Sequence, residues 1–162
     1  MSRFTIHPAA EQDIALILKL ITELAQYEKM ESYVNATEQS LHDSLLVKKT
    51  ANALILEHDK NPIGYAIYFY NFSSFEGRAG LYVEDIYIRP QYRKNGYGKK
   101  VFAYLADVAC KNNCARMEWV CLDWNAPSLE FYQKLGTTTH SEWIIHRLKG
   151  EHIENLAAYC AE

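Results

Sequence analysis

The stretch Val83-Glu84-Asp85-Ile86-Tyr87-Ile88-Arg89-Pro90-Gln91-Tyr92-Arg93-Lys94-Asn95-Gly96-Tyr97-Gly98-Lys99-Lys100 decides how the rest of this 162-residue chain is read. Its first half belongs to a strand over 81–88, rich in β-branched and aromatic residues. Pro90 stops that strand, because proline has no N–H to give a ladder. After the turn, Val101, Phe102, Leu105, Val108 and Ala109 recur at spacings of three and four, which predicts an amphipathic helix starting near Gly98. Arg93-x-x-Gly96-x-Gly98 therefore lies where a strand hands over to a helix. At such a junction the first helical N–H groups lack internal partners and the macrodipole is positive, so backbone without Cβ atoms can wrap phosphate oxygens. Arg93, Lys94, Lys99 and Lys100 add charge of the sign a pyrophosphate attracts. Two glycines alone also make ordinary strand-to-helix turns; the strand before, the basic residues and the helix after give the pattern its meaning. It is neither the three-glycine dinucleotide fingerprint nor the loop of nucleoside triphosphatases.

Outward from this turn, the chain resembles the GNAT superfamily of N-acetyltransferases, whose Arg/Gln-x-x-Gly-x-Gly/Ala turn binds the pyrophosphate of acetyl-CoA. It is most similar to the diamine (spermidine/spermine) branch. That resemblance rests on Glu84-Asp85, on Trp124-Asn125-Ala126-Pro127-Ser128 followed by Phe131-Tyr132, and on Glu23-Leu24-Ala25-Gln26-Tyr27-Glu28. It runs over essentially the whole chain. It implies a mixed α/β (α+β) fold with a central mixed β-sheet flanked by helices, a single N-acetyltransferase domain over 1–162, acetyl-CoA as co-substrate and a homodimer.

Composition bounds these expectations. A chain of this length is expected to form one domain. A net charge of −3 argues against a nucleic-acid partner held by bulk positive charge, although five basic residues cluster between Arg89 and Lys100. No apolar run reaches the length of a membrane span and the first residues carry no signal-peptide core, so a cytoplasmic protein is expected. Cys110, Cys114, Cys121 and Cys160 show no metal spacing and read as free thiols with packing roles. The six histidines are scattered, with His7, His58 and His152 expected at the surface, and no metal is expected. Trp119, Trp124 and Trp143 are expected in the core.

Elsewhere, 3–7 reads as a strand and Ile14, Ile17, Leu18, Ile21, Leu24 and Ala25 as one face of a helix. Thr37 is placed to cap a second helix carrying Leu41, Leu45 and Leu46 inward. The runs 53–57 and 63–70 form a hairpin around His58-Asp59-Lys60-Asn61-Pro62, and 71–80 reads as a loop. A strand over 116–122, a helix over 126–135 ended by Gly136, a strand over 142–148 and a helix after Gly150 complete a β-α-α-β-β-β-α-β-α-β order.

Acetyl transfer to an amine needs a base, since a primary amine near pKa 10 is only about one part in a thousand neutral at pH 7, a deficit of roughly 4 kcal/mol. It also needs an acid for the departing thiolate. Glu84 and Asp85 are the candidates for base and amine anchor; adjacent strand residues face opposite ways, so both serve one pocket only where the strand bulges. The other reading leaves one carboxylate in solvent and the other in an ion pair. By the resemblance, Tyr132 is the acid, although any one of 12 tyrosines is more often a packing residue. Asn125 and Ser128 share its helix and address the thiol end, or Asn125 merely caps. Ile86, Tyr87 and Ile88 line the pantetheine, and Arg93, Lys94, Asn95, Gly96, Tyr97, Gly98 and Lys99 the pyrophosphate. Glu28, Tyr27, Phe75 and Glu76 lie in segments suited to an ammonium. Phe75 stands where the branch carries a loop tryptophan, which bears on spermidine as acceptor. The expected reaction is direct attack of a small primary amine, a polyamine or a thialysine-like amino acid, on acetyl-CoA. The alternatives are a protein lysine or N-terminal acetyltransferase, and a non-catalytic acyl-CoA-binding module.

Overall fold

In the computed structural model, which describes residues 3–161, the chain divides into two compact units, Met1–Leu122 and Asp123–Glu162. The first holds a five-stranded sheet in sequence order, β1 (Phe4–Pro8), β2 (Asn52–His58), β3 (Asn61–Ser73), β4 (Arg78–Ile88) and β5 (Met117–Glu118), antiparallel except for the parallel β4–β5 pair. Between the strands lie α1 (Ile14–Glu28), α2 (Glu38–His42) and α3 (Tyr97–Lys111). The second unit carries α4 (Ala126–Lys134) and α5 (Glu151–Ala158).

Local chemistry accounts for most element ends. Thr37 and Ser40 form a reciprocal capping box at the start of α2, with Thr37 Oγ1 accepting from the Ser40 N–H at 3.1 Å and Ser40 Oγ accepting from the Thr37 N–H at 2.9 Å. Helix α1 ends where Lys29 turns left-handed at φ 59°. The β2–β3 hairpin closes through Asp59 and Lys60, both at positive φ, the two-residue turn whose twist matches the strands.

Each face of the sheet buries one parity of residues. Ala53, Ile55, Tyr65 and Ile67 pack with Ile14, Ile17 and Leu20 of α1 and with Leu45 and Tyr87. Residues of the other parity, Leu54, Leu56, Ala66 and Tyr68, are buried as well, as are Leu81 and Val83 and the α3 residues Val101, Phe102 and Leu105. In β4 the parity changes. Val83 lies opposite Tyr68 and Asp85 opposite Ile67, so Glu84 is an extra residue with no partner across the ladder. Facing residues share a side of the sheet, so Leu81 and Val83 look one way while Asp85 and Tyr87 look toward α1. The bulge that two functional carboxylates require is present, at Glu84.

Several sequence expectations are corrected. The β3 and β4 strands run on to Ser73 and from Arg78, with Asn71 opposite Gly80 and Ser73 opposite Arg78, which leaves only 74–77 as loop. Pairing of β5 is confined to Met117 and Glu118, against Leu81 and Tyr82. No strand forms over 142–148, where Trp143 is 75% and Ile144 77% exposed. Trp124 is also exposed, whereas Trp119 packs against Phe102 with ring centroids 4.7 Å apart. Cys110 and Cys160 are exposed rather than packed. His58 is partly covered, its Nδ1 2.6 Å from the Tyr97 hydroxyl.

Candidate active site

The site is built around the second half of β4. Because β5 ends at Glu118, β4 has no strand partner among the described residues on that side from Val83 onward. The Leu81 N–H donates to the Arg116 carbonyl on the β5 side at 3.0 Å, and the Arg89 N–H donates to Ile63 on the β3 side at 2.9 Å. Alternation from Arg89 back through the strand directs the backbone N–H and C=O of Ile86 and Ile88 to the unpaired side, and those of Tyr87 to β3. Tyr87 is therefore not a lining residue of that edge; its ring is buried against α1 and its hydroxyl pairs with Glu23.

The strand leads into the glycine turn. Lys94 (φ 63°) and Gly96 (φ 76°) both adopt left-handed backbone, and the Asn95 amide donates to the carbonyls of Tyr92 and Arg93 at 3.1 and 3.2 Å. Gly96 is the N-cap of α3 and brings no side-chain acceptor, so the first N–H groups of the helix keep the anion-binding character of an uncapped terminus. Tyr97 anchors the turn by stacking on Phe4 at 4.4 Å and bonding His58. Arg93 does not reach outward. Its Nε donates to the Ile88 carbonyl at 2.8 Å and its guanidinium lies 4.6 Å from the Tyr27 ring centroid, so it ties the turn to the end of α1.

Beside this junction the bulge creates an acidic cluster. The partly buried Asp85 accepts a hydrogen bond from the Tyr65 hydroxyl at 3.1 Å. Burial, the neighbouring Glu84 and then Glu28 push the Asp85 carboxyl up to about 6, against the opposing pull of the Tyr65 hydrogen bond. Burial also raises Glu28, the last residue of α1. The Cys121 thiol is raised by burial and by Glu28. Two carboxylates that lose solvation in one place form a site suited to an incoming ammonium. Glu84 itself is exposed.

Glu28, Tyr27, Glu84 and Asp85 are thus brought together. Phe75 and Glu76 are not: they sit on the β3–β4 loop, and Asp85 lies seven residues along β4 from Arg78, roughly 20 Å away at strand spacing. Phe75 is 97% exposed. In the second unit, Asn125 is the N-cap residue of α4 through its carbonyl, which accepts from Ser128 N–H at 3.0 Å, while its side chain makes no cap. Ser128 and Tyr132 stand four apart on α4, and the Tyr132 ring lies 5.5 Å from that of Phe131. Sequence reasoning missed Tyr65 and Cys121. Only the pairing register could have found Tyr65, because its contact with Asp85 is diagonal across two strands.

Comparison with known proteins agrees with this geometry. Residues 16–137 match the model of the Acetyltransferase (GNAT) family. The thialysine N-epsilon-acetyltransferase of Bos taurus is 34% identical over 97% of this chain and 99% of its own. The L-ornithine N5-acetyltransferase of Arabidopsis thaliana is 26% identical over 93% and 86%. Among solved structures, an integron cassette protein from V. cholerae superposes with a TM-score of 0.78 at 21% identity, covering 95% of this chain and 97% of that one, a likeness of fold. A chain that shares the family model across its bulged strand, glycine turn and α4, and a curated relative nearly end to end, belongs to the Acetyltransferase (GNAT) family and is an acetyltransferase with acetyl-CoA as its co-substrate.

Proposed function

We propose that this protein is a cytoplasmic enzyme, one domain over 1–162, that acetylates the terminal primary amine of a short aminoalkyl compound, a thialysine-like amino acid or a diamine. The observation that carries this reading is the bulge at Glu84, which turns Asp85 toward Glu28 and leaves two carboxylates around one partly buried space. An acidic space of this kind favours a substrate with a second cationic group, whose ammonium stays charged while the reacting amine loses its proton. The names of the relatives, acting on thialysine and on ornithine, support the same class.

In this reading the backbone of Ile86 and Ile88 pairs with pantetheine as an added strand would. The turn from Lys94 to Lys99 and the first N–H groups of α3 receive the pyrophosphate. Displaced from the Ile88 carbonyl, Arg93 would add its charge there. Asp85 and Glu28 anchor the substrate ammonium, with Tyr27 beside them. Glu84, exposed at the bulge, takes the proton of the attacking amine through a water, and its backbone irregularity frees an N–H toward the thioester oxygen. Tyr132 gives a proton to the departing thiolate, with Asn125 and Ser128 at the thiol end. The nucleophile attacks the acetyl carbonyl, the tetrahedral intermediate collapses, and amide and free thiol leave without a covalent enzyme intermediate.

Thiol release from acetyl-CoA tests this across spermidine, putrescine, thialysine, lysine, ornithine and a lysine-containing peptide. Turnover concentrated on one aminoalkyl amino acid or diamine is the expected result. Turnover on the peptide alone, or none with any amine while acetyl-CoA still raises the melting temperature, would replace this reading with a protein acceptor or a binding module.

A further inference from the structure

Tyr65 is fully buried in the middle of β3, in the core that also holds Ile14, Ile17, Leu20 and the ring of Tyr87, and its hydroxyl bonds to a carboxylate from the next strand. A phenylalanine would fill the same volume without bringing a polar atom into the core. The hydroxyl is placed by the bulge: Tyr65 stands opposite Tyr87, and Asp85 opposite Ile67, so the two are diagonal neighbours on the α1 face. With regular alternation through Glu84 in place of the bulge, Asp85 would point to the other face, away from Tyr65.

Resting on the amine reading above, we propose that Tyr65 is a positioning residue: by donating to Asp85 Oδ2 it locks the carboxylate so that Oδ1 is presented to the substrate ammonium. A carboxylate on a strand turns freely about its last bond unless one oxygen is held. A phenol on one oxygen fixes the plane and leaves the lone pairs of the other. The donor also favours the charged form, which is the form that binds a cation. The charged and titratable groups facing Asp85 are Glu84 on its own strand, Tyr65 from β3 and Glu28 from α1. Tyr87 and Glu28 in turn act on Tyr65, and Arg93 lies beyond, over the Tyr27 and Tyr87 rings. Of those facing Asp85, Tyr65 alone works to keep it ionised.

The test is Tyr65→Phe, which keeps ring and packing and removes one hydroxyl. With the preferred amine from the panel, kcat/KM for the amine at pH 7 should fall about tenfold, mostly in KM, with KM for acetyl-CoA unchanged. The acid limb of the kcat/KM profile should move up by about one pH unit, and a carbon-13 NMR titration of the Asp85 carboxyl in the free protein should show the same displacement. An unmoved limb and an unmoved Asp85 titration would overturn the assignment, as would an equal loss of acetyl-CoA affinity. Asp85→Asn is measured alongside, since it needs no change at Tyr65: its profile should lose the limb near pH 6, and persistence of that limb would equally defeat the proposal. The NMR titration needs no substrate, so a wrong Tyr65 is distinguishable from a wrong amine.

Discussion

Asp85 carries a charge that folding makes unfavourable. Its carboxyl is raised to about 6 from an ordinary value near 4, so ionising it above that range weakens the folded state. The sign follows directly: the penalty is absent below pH 4, grows as pH rises from 4 to 6, and is complete above. Asp85→Asn should therefore stabilise the free enzyme by about 1–3 kcal/mol at pH 7.5 and by almost nothing at pH 4, as read by urea unfolding, while amine turnover falls. A stability difference that does not change with pH would show that Asp85 is not strained. At Tyr132 the expected split is kinetic. Tyr132→Phe should lower kcat roughly 100-fold or more with acetyl-CoA affinity retained, as measured by calorimetry, because a proton donor acts only as the thiolate leaves.

At the scale of elements, close approach matters more than composition. Gly64 lies opposite Ile88, and a Cβ built there would sit 2.1 Å from the Tyr87 carbonyl oxygen. Gly64→Ala should accordingly push β3 and β4 apart and cost about 2 kcal/mol or more, checked by thermal unfolding and by acetyl-CoA affinity. The legibility of elements follows the same division between local and distant causes. β4, the glycine turn and α3 were readable because strand propensity, Pro90 and a helical apolar face all speak within one continuous stretch, 81–109. The loop expected over 71–80 turned out mostly paired, since Asn71 and Ser73 are held in β3 by the partners opposite them, which local polarity does not report. The opposite error occurred at 116–122 and 142–148, where β-branched and aromatic runs resemble strands but find at most a two-residue ladder. In the site, Glu28, Glu84 and Asp85 were legible by motif; Tyr65 was not, because its role depends on register.

Across the molecule, Arg89 holds α1 to the end of β4. Its Nε and one terminal nitrogen donate to the two Glu23 oxygens at 2.9 and 2.7 Å, and the other terminal nitrogen to the Pro62 carbonyl at 2.9 Å. The hydrogen bond from Arg89 is the main reason that the Glu23 carboxyl is lowered. A lowered acid stabilises the fold above its ordinary range near 4.3 and loses that contribution as pH falls through its folded value. Glu23→Gln should thus be less stable than the parent at pH 7 by about 1–3 kcal/mol, with the gap narrowing below pH 4, in thermal scans. The exposed Trp143, Ile144, Ile145 and Leu148 form the apolar run expected of a buried strand. This supports the homodimer reading, and light scattering should give twice the chain mass, with Trp143→Asp shifting it toward the monomer.

The extra residue at Glu84 is an insertion that the sheet absorbs where it occurs. Val83 and Asp85 stand opposite Tyr68 and Ile67, which are themselves neighbours, so deleting Glu84 would close β4 into a regular ladder in which Asp85 and Tyr87 still face α1 and Ile86 and Ile88 still face away. The frame downstream is thus independent of this residue, and what a deletion removes is local: the exposed carboxylate and the break in the ladder beside it. A deletion at 84 therefore separates the fold of β4 from the chemistry proposed for it, which no substitution at Asp85 can do.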